Sequence, residues 1–542
     1  MSQPQGDGAN IVELDVNDLL DRMLARSNQL KAFSDLPLIR EAVVREAEDR
    51  CDTFIFGEAD VRTADDIRSS TLEPGTSGSA PDNLEEDEFG IEVGLRQPLI
   101  TGGEVRLSQR FGGRDSNSEF FVPDDQAESE IRLELRQPLL EGAGVTVNSA
   151  PIQLAQLERD RSGAELQRQI DTQMLEALRT YWALYSERSR VLQRQRLIAD
   201  LGGISARLSS RAGFNALPGE TAQARAALRK AEAALIRARA GVDNSEARLA
   251  ALLSDGSLYR RDIEIIPAQP VMVEFIDAPL DDVSILALEN RPEVKVVALE
   301  LRGAEIRTEV ARNRLLPDLD LFASASSAGL QGDYDFDRAF GKQFGQTGID
   351  AAVGVRFEIP IGNTTDKARY DRRRVEARQL TSRLRNVSDS VLLETQVAVR
   401  EVRTSYEEMR AREAELSAIN SELSALRSLA VNGAEGGSAF LATLISSYED
   451  RANAGERPML SAVSYTPALY TLENVAGTML SVRDIRAERV NTNNLDYIRL
   501  VRGNVPPPPG ESVSPDILTD PDAILDASTI PNAVDDAAPE AE

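Results

Sequence analysis

The chain has 542 residues and a formal net charge of −28, and 42% of its residues are hydrophobic, 5% aromatic and 28% charged. So large an acidic surplus argues against a nucleic-acid-binding protein, because contacts with phosphates need clustered Lys and Arg. The sequence has no His and one cysteine, Cys51, which leaves out the commonest general base, the commonest zinc ligand, intrachain disulfides and thiolate metal clusters.

The first half begins with a polar segment, residues 1–11, which contains no Lys or Arg and does not resemble a secretory signal. A helical pattern follows over residues 12–51. Residues 24–50 align without a gap with residues 286–312, which indicates an internal duplication. The identical pairs include Leu24 with Leu286, Asn28 with Asn290, Arg40 with Arg302, and Arg45 with Arg307.

Apolar and polar residues alternate after each copy of this helix, a pattern typical of a strand with one apolar face. The alternation fits a soluble antiparallel sheet with one wet face or strands that cross a bilayer. By itself it favours the soluble sheet, and the surrounding segments must decide. The apolar positions are Ile91, Val93, Leu95, Ile131, Leu133 and Leu135 in the first half, and Leu319, Leu321, Ala323, Ala325, Val353, Val355, Phe357 and Ile359 in the second.

Each set of strands ends in a proline followed by a glycine. Pro138 and Gly142 close the first set, and Pro360 and Gly362 close the second. Proline ends a ladder of hydrogen bonds and glycine permits a sharp change of direction. These four residues are the predicted strand exits.

Two helical patterns much longer than an ordinary helix follow these exits, over residues 150–212 and 364–432. At about 1.5 Å per residue the first would reach roughly 90 Å. Each turns back at a tip of small residues. Alanine-rich return helices permit close packing, and apolar residues such as Leu416, Ile419 and Leu423 predict a coiled-coil seam.

The chain is therefore divided into two copies of one plan. The segments are a polar N-terminal segment (1–11), a first-repeat equatorial helix (12–51), first-repeat strands (52–140), a first long helical hairpin (141–256), a linker and second-repeat equatorial helix (257–316), second-repeat strands (317–362), a second long helical hairpin (363–490) and a disordered acidic tail (491–542).

This order resembles the TolC-like outer-membrane efflux family (outer membrane factors) over residues 12–490. Residues 290–319 are similar to the helix that leads into the first strand of a repeat, and residues 137–144 to a strand exit found in one branch of the family. The resemblance implies an α+β membrane protein. Three copies would form one outer-membrane β-barrel, continued by a long periplasmic α-helical barrel. Closure by three copies would also satisfy the edge strands, which an open sheet in lipid leaves unpaired.

The implied function is a passive channel subunit for efflux or type I-like export, not an enzyme, with no cofactor and no metal. Its partners would be two further copies, a periplasmic adaptor, an inner-membrane pump and outer-membrane lipid. The implied location is the cell outer membrane, with the helical part in the periplasm. The adaptor would dock at the hairpin tips, whose predicted docking and gating residues are Arg211, Gly213, Glu220, Arg225, Gly433 and Ser438. For each of these, turn chemistry or helix capping is the alternative.

The sequence departs from the family pattern in two places. Ala442 and Ile445 stand where members of the family often carry pore-facing aspartates, so the sequence leaves open whether an acidic gate exists there. An added hairpin between Phe89 and Phe111 would either enlarge the barrel from about 12 strands to about 18 or lie outside it as a loop.

Two other classes of function remain as alternatives. A non-pore coiled-coil protein or a periplasmic adaptor would explain the long helices, but adaptors usually have one long hairpin and this chain has two. An enzyme lacks support, because the sequence has no P-loop, no nucleophile elbow and no His.

Overall fold

The computed structural model describes residues 10–67, 83–118, 120–123, 125–210, 218–259, 263–345, 348–431, 437–492 and 495–503. The helices are α1 (Val16–Arg26), α2 (Asn28–Ser34), α3 (Leu36–Glu48), α4 (Val145–Asn148), α5 (Ala150–Ser210), α6 (Pro218–Leu253), α7 (Leu280–Asn290), α8 (Pro292–Asn313), α9 (Phe336–Lys342), α10 (Thr364–Val431), α11 (Gly437–Val475) and α12 (Met479–Val482). Among the described residues, none of these helices combines the length and hydropathy that a membrane crossing requires.

The strands form one large and two small sheets in the described part of the chain. They are β1 (Asn10–Leu14), β2 (Phe54–Ile67), β3 (Asn83–Pro98), β4 (Glu104–Ser116), β5 (Gln126–Pro138), β6 (Ile263–Pro267), β7 (Asp318–Gln331), β8 (Asp350–Glu358), β9 (Ile485–Val490) and β10 (Tyr497–Arg502).

The chain separates into two compact units. The helical unit comprises the described parts of residues 1–38, 161–297 and 383–542, and the sheet unit comprises those of residues 39–160 and 298–382. Each unit draws on both halves of the chain, so neither half forms a unit of its own.

The helical unit has its largest core where α1, α5 and α6 meet the small sheets. Tyr181 and Trp182 of α5 are almost fully buried there. The Tyr181 hydroxyl donates to the Leu14 carbonyl at 2.9 Å and accepts from the Gln269 amide at 3.0 Å. The hydroxyl therefore bonds two backbone groups at the end of the parallel β1–β6 pair, where the Leu14 carbonyl also accepts from the Ala268 amide at 2.9 Å.

The equatorial segments contain more elements than the sequence indicates. The predicted helix over residues 12–51 is broken into α1, α2 and α3, since Ser27 ends α1 and its hydroxyl caps α2. Residues 257–316 include β6 as well as α7 and α8.

The predicted start of the disordered tail at residue 491 is too early. Tyr497–Arg502 form β10, which pairs with β9, and Leu500 is buried in the core. Ile498 and Leu500 flank Arg499 and lie on one face of this strand.

The sheet unit is built around a six-stranded antiparallel sheet in the order β2-β3-β4-β5-β7-β8. β5 from the first half pairs with β7 from the second, with Ile131 opposite Ser327. The added hairpin of the sequence forms β3 and β4, which lie between β2 and β5. It is therefore part of the sheet and not a loop outside it. β2 and β8 are the outer strands.

Candidate functional site

The six-stranded sheet has one apolar face. Since side chains alternate across a strand, directly opposed residues share a face. The register places Leu95 opposite Leu107 and Leu107 opposite Leu133. The exposed members of this apolar face are Ile55, Val61, Phe89, Ile91, Val93, Leu95, Leu107, Leu133, Val353, Val355 and Phe357. So large an exposed apolar surface marks a contact with lipid or with another protein.

The opposite face, here called the charged face, carries ion pairs that cross from strand to strand. Arg106 of β4 contacts Glu92 of β3 at 2.9 Å, and Arg114 contacts Glu86 at 2.7 Å. Arg136 of β5 donates through Nε to Asp320 of β7 at 2.7 Å, which links the two halves of the chain. The pairs of Arg106 and Arg114, which are partly exposed, each contribute at most about 1 kcal/mol.

A recess of about 410 Å³ opens on the charged face. Its lining residues are Glu88, Phe89, Glu92, Arg106, Ser108, Arg110, Gly112, Gly113, Arg114, Glu128, Glu130, Arg132 and Glu134. Both signs of charge alternate over this surface, so it is suited to water and to polar solutes. Two phenylalanines of β2 on the same face each lie beneath an arginine. The guanidinium carbon of Arg106 is 4.3 Å from the centroid of the Phe56 ring, and that of Arg96 is 5.4 Å from the centroid of the Phe54 ring.

The predicted strand exits lie where the sheet gives way to helices. Pro138 is the last residue of β5, and Gly142 follows it with φ +76° and donates its N–H to Asn313 at 2.8 Å. Pro360 follows β8, and Gly362 has φ +91° just before α10 begins. Their role in redirecting the chain stays a prediction, although both glycines adopt a backbone conformation that favours glycine.

The predicted tip residues are only partly within the described chain. Glu220 lies in the first turn of α6 and is half-buried, and Arg225 lies further along the same helix and is exposed. Ser438 is the second residue of α11 and is exposed. Arg211, Gly213 and Gly433 lie outside the described residues.

A small core lies beside the tips, and it includes Ile445, one of the two positions at which the sequence departs from the expected pattern. Ile445 is 6% exposed and packs in a cluster with Leu201 of α5, Leu423 of α10 and Leu441 of α11. Ala442 is half-buried on the same helix. Ile445 therefore contributes to the packing of this core.

Sequence reasoning missed a set of ion pairs between the long helices near this core. Asp200 of α5 lies 3.3 Å from Arg427 of α10 and 3.6 Å from Arg451 of α11, and Arg427 donates to the Tyr448 hydroxyl at 2.8 Å. Charged residues on an exposed helix give no signal of such pairing, because their partners are more than 200 residues away in sequence.

Further charged contacts join α5 and α6 in the helical unit, near β6. The Arg188 side chain is 1% exposed and lies between Glu246 at 2.9 Å and Glu264 at 2.8 Å. Burial raises the pKa of Glu246, and the hydrogen bond from Arg188 opposes the shift. Two carboxylates around one buried guanidinium tie β6 to both helices.

Asp171 of α5 is a buried acid without a hydrogen-bonded partner for Oδ1 among the described residues. Burial, followed by the nearby Glu293 carboxylate, raises the pKa of Asp171 to about 7, while Arg291 acts in the opposite direction. Its ionisation therefore falls in the range of ordinary environmental pH.

Comparison with known proteins agrees with this architecture. Residues 283–456 match the model of the outer membrane efflux protein family. No curated protein sequence matches the chain.

Solved structures match most of the chain at low identity. The Campylobacter jejuni CmeC outer membrane channel matches with a TM-score of 0.60 and 14% identity, covering 86% of this chain and 86% of that one. The Vibrio cholerae outer membrane protein VceC gives 0.59 and 12%, covering 85% and 96%. The Neisseria gonorrhoeae MtrE outer membrane channel gives 0.58 and 14%, covering 86% and 89%.

The fold is thus that of the outer-membrane efflux channels. The expected resemblance to the TolC-like family is confirmed, since residues 283–456 match the model of the outer membrane efflux protein family and most of the chain shares the fold of these channels.

Proposed function

We propose that the chain is one subunit of a homotrimeric, passive outer-membrane channel for efflux or type I-like export. The observation that carries the proposal is the two-faced sheet. One face is apolar and exposed, and the other carries ion pairs around a polar recess. A sheet with these faces fits a wall between lipid and water.

The outer strands of the sheet explain why one copy is not enough. Within the described part of the chain, β2 and β8 each pair on one side only. In lipid their free N–H and C=O groups would lack partners, and pairing β8 of one copy with β2 of the next satisfies them. Three copies of this six-stranded sheet give an 18-stranded barrel, because the added hairpin is part of each sheet.

The long helices would continue this barrel on the periplasmic side. An adaptor bound to an inner-membrane pump would dock at the tips, with Glu220, Arg225 and Ser438 as the described contact residues and Arg211, Gly213 and Gly433 as the others. The ion pairs of Asp200 join three helices beside the tips. Opening would slide these helices past one another, with energy supplied by the pump, so the channel itself needs no catalytic residue and no cofactor.

A non-pore coiled-coil protein or an adaptor would share the helices but would leave the apolar face without a partner. The experiment that separates these functions is cysteine cross-linking across the outer strands. Cys51 is the only cysteine, so the background is Cys51→Ser. Ala59→Cys on β2 is combined in turn with Ala351→Cys, Val353→Cys or Val355→Cys on β8, because the register between copies sets which pair meets.

We expect one of these double variants to give covalent dimers and trimers in outer-membrane fractions, and trimers that conduct ions in planar bilayers. The single-cysteine variants serve as controls and should assemble without forming covalent trimers. Monomer in every variant, in protein that stays soluble without detergent, would contradict the proposed function.

A further inference from the structure

The apolar face of the sheet is interrupted by a polar patch at the end where β7 and β8 are connected. Gln109 of β4, Ser129 of β5 and Ser327 of β7 belong to this face, since Ile131 stands opposite both Gln109 and Ser327. In hydrocarbon, polar groups without hydrogen-bond partners each cost several kcal/mol, on the order of the transfer values for amides and hydroxyls. The patch therefore needs a cover if the face contacts lipid.

The short helix α9 and the residue after it supply that cover. Gln343 is 1% exposed, and it accepts from the Ser129 hydroxyl at 3.0 Å and donates to the Gln109 side chain at 3.3 Å. Its own carbonyl accepts from the Ser327 hydroxyl. One residue thus satisfies all three members of the polar patch.

The contact between α9 and the sheet is close enough to require glycine. A Cβ placed on Gly329 of β7 would lie 2.0 Å from the Ala339 carbonyl oxygen. Ala339 itself is fully buried. The backbone of α9 packs directly on the backbone of β7, so the position of α9 on the sheet depends on the glycine at position 329.

The exposed side of this cover carries two aromatic rings beside the charged residues Asp337 and Arg338. Phe340 and Phe344 are 41% and 65% exposed, and their ring centroids lie 5.3 Å apart. Phe340 also contacts Phe111 of the apolar face, with centroids 5.9 Å apart. The cover therefore buries the polar patch and presents aromatic rings that continue the apolar face. Aromatic rings are enriched where a membrane protein meets the interface of the bilayer.

We propose that α9 and Gln343–Phe344 form a lipid-facing cover, in which Gln343 seals the polar patch and Phe340 and Phe344 contact the bilayer at its outer edge. The inference rests on the proposed function, because the apolar face must itself contact lipid. It assigns a membrane contact to a connection between strands, which would otherwise be expected in water.

The test uses tryptophan as a reporter in the full-length trimer reconstituted into phosphatidylcholine vesicles with and without brominated acyl chains. The chain has a single tryptophan, Trp182, which is 1% exposed in the helical unit. The signal of the unsubstituted protein can therefore be subtracted. Phe344→Trp reports on the cover, and Phe340→Trp is a second reporter should the first variant not assemble.

Two neighbouring residues of β8 provide matched controls. Val355→Trp reports on the apolar face and Arg356→Trp on the charged face. We expect brominated lipid to quench Phe344→Trp severalfold more than Arg356→Trp and to a degree similar to Val355→Trp. Aqueous iodide should show the reverse order.

Two outcomes would overturn the inference, and they are distinguishable. If Val355→Trp is quenched by lipid and Phe344→Trp only by iodide, the cover faces water and the proposed function stands. If neither is quenched by lipid, the apolar face does not contact the bilayer and both proposals fail.

Discussion

Asp200 on α5 and Arg427 on α10 form an ion pair of 3.3 Å about three turns before the end of α5. The side chains are 26% and 45% exposed, so the pair contributes no more than about 1 kcal/mol. It can therefore hold neighbouring helices together at the tips without preventing them from moving apart.

In the proposed channel, loss of this pair should favour opening. We expect Asp200→Asn to raise the mean conductance in planar bilayers, because Arg427 and Arg451 both lose a charged partner, while trimer stability changes little. Glu232→Gln is the control, since Glu232 pairs with Arg229 within α6 and holds no second helix. Equal conductance of the two variants would show that the Asp200 pairs do not restrain opening.

Arg188 should be among the most sensitive positions of the helical unit. Arg188→Leu leaves Glu246 and Glu264 without their buried partner, and breaking such a pair costs about 3–5 kcal/mol. We expect a large fall in the midpoint of thermal unfolding, followed by circular dichroism. Arg229→Ala, at a side chain that is 81% exposed, should shift the midpoint by little. A small effect of Arg188→Leu would mean that water reaches the two carboxylates.

Asp171 should make stability depend on pH. Its folded-state pKa of about 7 lies above its ordinary value of 3.8, so the folded state binds the proton more tightly than the unfolded state. Folding is therefore most favoured by this group below pH 3.8, and that advantage is lost as pH rises through about 7.

The variant Asp171→Asn should accordingly be more stable than the unsubstituted protein at pH 8, and the difference should shrink at pH 5. Melting temperatures at the two pH values measure this. Asp243→Asn, at an exposed position of α6, controls for the loss of one negative charge. A difference that is the same at both pH values would contradict the assigned cause.

Two glycine-to-alanine substitutions should have opposite effects. Gly102, in the turn between β3 and β4, has φ +90°, and a Cβ there would lie 2.3 Å from the Gly142 carbonyl oxygen. Gly102→Ala should destabilise the sheet by at least about 1–3 kcal/mol. Gly163, inside α5, has nothing within 4 Å of such a Cβ, so Gly163→Ala should stabilise by about 0.5–1 kcal/mol. The midpoints of denaturant unfolding measure both effects. If the two midpoints shift in the same direction, the opposite roles of the two glycines are refuted.

The sequence predicted those parts of the fold that local patterns determine. Alternation at Ile131, Leu133 and Leu135 identified β5 and its apolar face, and the proline and glycine signals lie at the ends of the strands. Long stretches without proline predicted α5 and α10.

The contacts that it did not predict join residues far apart in the chain. Gln343 and Ser129 are separated by 214 positions, and Arg188 and Glu264 by 76. The residues next to Gln343 and Arg188 in the sequence do not indicate which distant residue each will contact. The placement of the added hairpin within the sheet also depends on pairing with β5, which alternation alone leaves open.

The order of strands bears on how the sheet is built during folding. β2, β3, β4 and β5 are joined by hairpins, and their contacts are local in sequence. β7 joins β5 only after the intervening chain has been made, as the separation of 184 positions between Arg136 and Asp320 shows. Non-local pairing is slow because loop closure costs entropy before any contact forms. The four-strand meander is therefore expected to exist for a time with β5 as a bare edge, and during that interval the nascent subunit would depend on chaperones to avoid aggregation.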